Sequence, residues 1–248
     1  MSGHSKWHNI QQRKGAQDAK RANLFTKYAK TITLAAQRGG DPAMNFSLRL
    51  AIDKAKSVSM PKDNIDKAVK RGTGEIVGAK MEEVMYEGFG PSGVAVLVKT
   101  LSDNKNRTVS DLKHIFSVSG GSLGSSGSVA WMFREWGVII VSPSIIRHGG
   151  EGARGGLSRD ELELALIEAG AEDIREDGEA VEIKTKVENL QKILAKLKEL
   201  SIEVKDSGLR WIAKDKLGVT PEIEAKLDEL FSELESHDDV EDYFTNAE

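Results

Sequence analysis

Cysteine is absent from the 248 residues. That excludes disulfide staples, cysteine-ligated metals and iron–sulfur clusters, and it fits a reducing compartment. No apolar run approaches the roughly 20 residues that a membrane span requires. The opening stretch, Met1 to His8, is polar with no apolar segment behind it, so no secretory leader is expected. A cytoplasmic protein follows as the expectation. Proline occurs only five times, which leaves long stretches free to be helical. Acid is scarce at the front of the chain. Residues 1–73 hold 15 Lys+Arg against 5 Asp, a formal +10, and the remainder holds 20 against 34, a formal −14. The two sum to the net −4 of the whole chain. Such a split predicts a polyanion-binding part joined to an acidic part. Hydrophobic residues make up 39%, enough for packed cores and too many for a disordered chain.

Hydrophobic periodicity divides the chain further. Ala22, Phe25, Ala29, Ile32 and Ala36 form one helical stripe, ended by Gly39-Gly40. Asp41 is read as the cap of a second helix with Pro42 at its first position. That helix carries Leu48, Ala51, Ile52, Ala55 and Val58, and Met60-Pro61 breaks it. Asp63 is read as the cap of a short third helix that Gly72 closes. Val84 to Phe89 and Val94 to Leu101 read as strands around the turn at 88–93. Thr108-Val109-Ser110-Asp111 resembles a capping box opening a helix to Phe116. Residues 137–204 follow a β-α-β-β-α-β order with strands at 138–141, 173–175, 181–185 and 202–204, the ferredoxin-like arrangement. The helix 223–234 and strand 240–244 pair naturally with 94–118. The predicted architecture is therefore α+β. A basic three-helix bundle (1–76) precedes a discontinuous α+β domain (80–134 plus 205–248), into which a ferredoxin-like domain (135–204) is inserted.

Candidate sites were weighed against blander readings. Phosphate contact calls for long cations along one face, because the backbone charge is regular and each contact releases counterions. Lys6, Arg13, Lys14, Lys20, Arg21, Lys27 and Lys30 lie in or before the first long helix, Lys62 lies in the loop before the third, and Lys70 and Arg71 lie on the third. Trp7 could stack on a base or pack on the bundle. Gly120-Gly121-Ser122-Leu123-Gly124 satisfies the G-x-S-x-G pattern of hydrolases. That pattern needs a strand before the serine and a helix after it. Here a helix precedes and Gly/Ser residues follow, so a flexible turn is expected, with Ser122 hydrolysis a remote alternative. His4 and His8 share helical spacing, but no third metal ligand is evident, and no metal or cofactor is expected. The strand Val181 to Thr185 lacks the aromatics of an RNA-recognition sheet. Trp131, Phe133 and Trp136 read as packing residues. The acidic stretch 222–241 reads as a solvated helix face, or a surface that meets a basic protein.

At this point the motifs resemble a known family. Ser2-Gly3-His4-Ser5-Lys6-Trp7, the run Lys14 to Lys30, and Ser59-Met60-Pro61-Lys62-Asp63-Asn64-Ile65 are similar to the YebC/PmpR family. So are Tyr86-Glu87-Gly88-Phe89-Gly90-Pro91, Asn106-Arg107-Thr108 and Gly120 to Gly124. Phe89 and Ser92 stand where Tyr and Gly are common in the family, and the loop 145–159 is longer and richer in glycine. The resemblance implies three domains, the first a three-helix bundle. It also implies a function in gene expression: members are described as DNA-binding transcriptional regulators, and others act in translation. The expected partner is nucleic acid, either structured RNA on the ribosome or, as the alternative, DNA. No enzymatic activity, no membrane and no small-molecule substrate are expected. A protein–protein scaffold that uses the acidic domains is the remaining reading.

Overall fold

The computed structural model describes residues 17–78, 80–142, 159–177 and 180–248, with the backbone alone for 17–21, 159 and 177. Helices and two four-stranded antiparallel sheets share these residues, so the chain is α+β as expected. The described residues form two compact units, one of 133–214 and one of 17–132 with 215–248.

The larger unit opens with three helices, α1 (Gln17–Ala36), α2 (Phe46–Ser57) and α3 (Lys62–Thr73). Ile32, Ala36, Leu48, Ile52, Ala55, Met60, Ile65 and Ala68 make a thin buried core between them. Gly72 lets α3 approach α1, since a Cβ there would stand 2.3 Å from the Thr33 carbonyl oxygen. The helix ends at Gly74, in the left-handed conformation, and not at Gly72 as expected. The capping expectations also change. Asp41 accepts the Ala43 amide in a local turn (2.8 Å), and α2 begins at Phe46 under Asn45. The Asn45 side chain caps Leu48 N and donates to the carbonyls of Ala35 and Gly39, so one amide fixes both ends of the α1–α2 connection. Asp63 does not cap α3: Pro61 holds that position, with no side-chain hydrogen bond.

The first sheet has the order β3-β1-β2-β8, from β1 (Glu82–Phe89), β2 (Ala95–Ser102), β3 (Ser122–Leu123) and β8 (Val240–Thr245). One face packs α4 (Lys105–Val118) and α7 (Pro221–Ser236) around Val96, Val98, Leu112, Phe116, Leu227, Leu230 and Phe231. The terminal strand thus completes a sheet begun more than 130 residues earlier. Thr108 is not the cap of α4. Asn104 is, accepting the Arg107 amide at 3.1 Å, while Thr108 is fully buried.

The Gly/Ser stretch after α4 is no flexible turn. Gly121 packs so tightly that a Cβ would lie 2.3 Å from the Phe89 carbonyl oxygen. The Glu87 carboxylate, 7% exposed, accepts the amides of Gly127, Val129 and Ala130 at 2.6 to 2.8 Å. Burial raises its pKa, but the three amide donors outweigh burial and hold it below the ordinary value.

The smaller unit runs β4 (Phe133–Val141), α5 (Arg159–Glu168), β5 (Ala171–Asp177), β6 (Ala180–Thr185), α6 (Leu190–Glu199) and β7 (Val204–Ala213). Its sheet has the order β5-β6-β4-β7, and Ile139, Ile183, Leu166, Ile193 and Leu197 fill the helix-facing side. The last strand starts where a strand end was expected, at Val204, and continues to Ala213. Residues 205–214 therefore belong with this sheet and not with the chain's closing segment. The loop 145–159 lies outside the described residues except for Arg159, which opens α5. Among those described, no helix is long and apolar enough to cross a membrane.

Replacing Glu87 with Ala should leave three buried amides without an acceptor. At about 1–3 kcal/mol for an orphaned group, a total loss of roughly 2–4 kcal/mol is expected after relaxation. Hydrogen exchange at 127–130 should accelerate while the core of 17–73 stays protected. Unchanged exchange in that loop would show that Glu87 does not hold it.

Candidate nucleic-acid interface

The cations singled out from sequence separate into three groups. Lys6, Trp7, Arg13 and Lys14 lie outside the described residues. Lys20 and Arg21 lie on α1, with only their backbone described. The rest take two different roles.

Lys27 and Lys30 face inward. Their spacing from Asn23 places all three on one side of α1, against the carboxyl end of α7. Asn23 Nδ2 donates to the Ser236 carbonyl (3.4 Å), Lys27 Nζ to the Glu235 carbonyl (2.6 Å) and Lys30 Nζ to the Asp238 carbonyl (2.9 Å). A helix end carries unpaired carbonyls and partial negative charge, so these donors cap α7 from outside. Burial pushes the Lys27 ammonium below its ordinary pKa, against the opposing pull of Glu235, Asp238 and Asp242. Tyr243 stacks on Phe231 at 4.6 Å between ring centroids and donates to the Glu235 carboxylate, which steadies the same helix end. The acidic stretch is thus more than a solvated face.

Lys30 also reaches a second acceptor, the carboxylate of Asp239, at 2.5 Å. Asp239 is 2% exposed. Its two oxygens also accept from Arg107 Nη2 (3.0 Å), Thr108 Oγ1 (2.7 Å) and Ser102 Oγ (3.1 Å). Its own amide donates to His237 Nδ1, which leaves Nε2 facing Asp111 at 3.3 Å. Burial alone would raise the Asp239 pKa. Lys30, Thr108 and Arg107 together reverse that and hold it far below the usual carboxylate range. Thr31 to Glu241 (3.4 Å) and Gln37 to the Met81 carbonyl (3.1 Å) continue the same seam. Every hydrogen bond named along it is polar or ionic, and the bundle core and the first-sheet core are separate clusters.

Lys62, Lys70 and Arg71 face outward and are exposed on α3. Lys67 and Asn64 are exposed on the same helix, with Asp63 and Asp66 interspersed. The turn before α3 holds Ser59 in the left-handed region at φ 61 and buries Met60 (6% exposed), so Pro61 and Lys62 project from an anchored corner. The arrangement displays fixed cations at the surface, the chemistry that phosphate contact requires.

Other candidates resolve plainly. Ser122 is exposed on β3 beside Phe89, between α4 and the Glu87-held loop, without the strand–serine–helix order of a nucleophile elbow. Among the described residues no group of three or more His, Asp or Glu could hold a metal ion. Phe133 is buried as expected, but Trp131 is 66% exposed. Trp136 sits on β4, on the face opposite Ile139, with Arg134 and Lys184 at 4.5 and 5.0 Å from its ring centroid. That sheet therefore carries one partly exposed aromatic on a central strand, which inspection of β6 alone misses.

Residues 5–75 match the family model described as the TACO1/YebC protein N-terminal domain, and 81–247 match the TACO1/YebC second and third domain. A protein of Maridesulfovibrio salexigens named "Probable transcriptional regulatory protein" is 46% identical over 248 residues, covering 100% of this chain and 96% of its own. A similarly named protein of Caldanaerobacter subterraneus is 42% identical, with 100% and 98% covered. A crystal structure of a conserved hypothetical protein from Aquifex aeolicus superposes with a TM-score of 0.81 at 36% identity, covering 95% of this chain and 94% of that one.

The Asp239 cluster makes a signed pH prediction. A folded-state pKa below the unfolded value of about 3.9 contributes stability that is complete above that value and is lost as pH falls through the folded pKa. Asp239→Asn should cost about 3 kcal/mol near neutrality, where a buried ion pair is broken. The gap between wild type and variant should narrow as pH drops from 5 to about 2. A gap that stays constant across that range in thermal melts would show that the carboxylate charge is not what stabilises the seam.

Proposed function

Because the chain belongs to the TACO1/YebC family, we propose that it is a regulator of gene expression that binds nucleic acid through the cationic surface of residues 1–76. The observation that carries this reading is the outward set Lys62, Lys70 and Arg71 in a region of formal charge +10. Lys20, Arg21 and the cations before them add to the positive charge of residues 1–73. Lys27 and Lys30 are not part of the outward set while α1 caps α7. The acidic remainder of the chain, including the ferredoxin-like unit of 133–214 taken as an insertion in the second domain, keeps polyanions to one side. The protein acts in the cytoplasm, without enzymatic chemistry and without a cofactor.

Within this reading the target is structured RNA on the ribosome. Base-edge readers of DNA place Arg, Asn or Gln along a recognition helix. The exposed side of α3 offers Asn64 near its start and then Lys67, Lys70 and Arg71, a set suited to phosphates more than to a base code. One observation favours the second reading, DNA: the relatives' names assign them to transcription. Shape readout would let a phosphate-binding surface select a promoter.

Neutralising Lys62, Lys70 and Arg71 together should weaken binding to any duplex and flatten the plot of log affinity against log salt. At about 0.9 per contact the slope should fall by roughly 2–3, with little change in melting temperature. An unchanged slope would place the main contact elsewhere. Competition decides the target. Ribosomes bound at physiological salt should be displaced by promoter DNA no better than by random duplex. A hundredfold preference for one promoter, about 2.7 kcal/mol, would establish transcriptional control instead.

A further inference from the structure

The inward cations belong to the same helical bundle as the cationic surface of the proposed interface, which makes their partner informative. Asn23, Lys27 and Lys30 recur at helical spacing on α1 and meet a row of oxygen acceptors: the carbonyls of Ser236, Glu235 and Asp238 and the carboxylate of Asp239. Long cationic donors set along one helix face against a run of oxygens are also how a helix meets a nucleic-acid backbone, where the oxygens are anionic. We propose that the carboxyl end of α7 with residues 236–241 is an internal stand-in for the phosphate backbone, and that nucleic acid competes with it for Lys27 and Lys30. The inference rests on the nucleic-acid reading above and adds the regulation of that site.

Three features make the contact exchangeable. The contacts named along it are hydrogen bonds and ion pairs, and the buried cores on its two sides are separate. These hydrogen bonds and ion pairs weaken as salt rises, so separation depends on salt. Lys27 is held by a neutral carbonyl in a site where burial disfavours its charge, so transfer to a phosphate improves its position. Asp239, by contrast, loses only Lys30 on undocking. Arg107, Thr108 and Ser102 reach it from α4 and β2 and keep it satisfied. The first sheet and α4, which carry these donors, need not move for α1 to leave.

The absence of native cysteine allows a clean test. Asn23→Cys with Ser236→Cys places two thiols where an amide now donates to a carbonyl, and oxidation should lock α1 onto α7. The full chain is compared oxidised and reduced, with a fluorescein-labelled RNA hairpin and a DNA duplex as probes, across a salt titration. The reduced form should bind several-fold more tightly than the locked form, with a salt slope steeper by about two, one unit for each released lysine. Excess hairpin should also slow formation of the disulfide. Asp239→Asn, which weakens the docked state without a crosslink, should bind more tightly than wild type. Equal affinity and equal slope in locked and reduced forms, with salt-dependent binding intact, overturns the competition while leaving the nucleic-acid reading in place. Salt-independent or absent binding in both forms overturns that reading and the competition with it.

Discussion

A carboxylate taken out of water must be met by donors, and Asp239 is met by donors from three elements that are distant in sequence. Ser102 closes β2, Thr108 and Arg107 open α4, and Lys30 comes from α1, 209 residues away. Removing an uncompensated charge from water costs several kcal/mol, so Ser102, Thr108 and Arg107 hold Asp239 even where Lys30 is exchanged. The strand that follows Asp239 supplies the edge of the first sheet. The helix that precedes it ends on the lysines of α1. One buried acid thus fixes where the closing segment returns and where the helical bundle docks.

The same constraint explains the uneven distribution of charge. Residues 1–73, of formal charge +10, meet an acidic segment at the end of α7, whose carbonyls and the Asp239 carboxylate accept from Lys27 and Lys30. The bundle's remaining cations on α3 then stay exposed. On the proposed function, docking and nucleic-acid contact draw on one pool of positive charge, divided between α1 and α3. The Glu87-held loop and the glycine that meets Phe89 do separate work, since they stiffen the sheet edge opposite β8.

Much of this was legible in the sequence where periodicity carries the signal. The stripes of α1 and α2, the strands around the 88–93 turn and the return of strand 240–245 to β2 follow from spacing alone. Capping was harder to read, because Asp41, Asp63 and Thr108 all suit a cap, while Asn45 wins by also bonding back across the connection and Asn104 by accepting the Arg107 amide. The direction of Lys27 and Lys30 was hidden for a related reason. A lysine facing phosphate and a lysine facing a helix end look alike until the far segment is placed beside it. Spacing from Asn23 gave the one available signal, since a polar row on the face next to a thin alanine core asks for a partner. Glu87 went unnoticed because nothing local marks a carboxylate whose three donors lie 40 residues on.

The central claim is that one cationic bundle exchanges an internal acidic partner for nucleic acid. Hydrogen–deuterium exchange on the full chain, with and without saturating RNA hairpin, addresses it most directly. The account predicts added protection across α3 and the turn before it. Exchange should accelerate in 237–241, where amides such as that of Asp239 lose the neighbouring lysines. Protection confined to 133–214, with 57–73 and 237–241 unchanged, would contradict it.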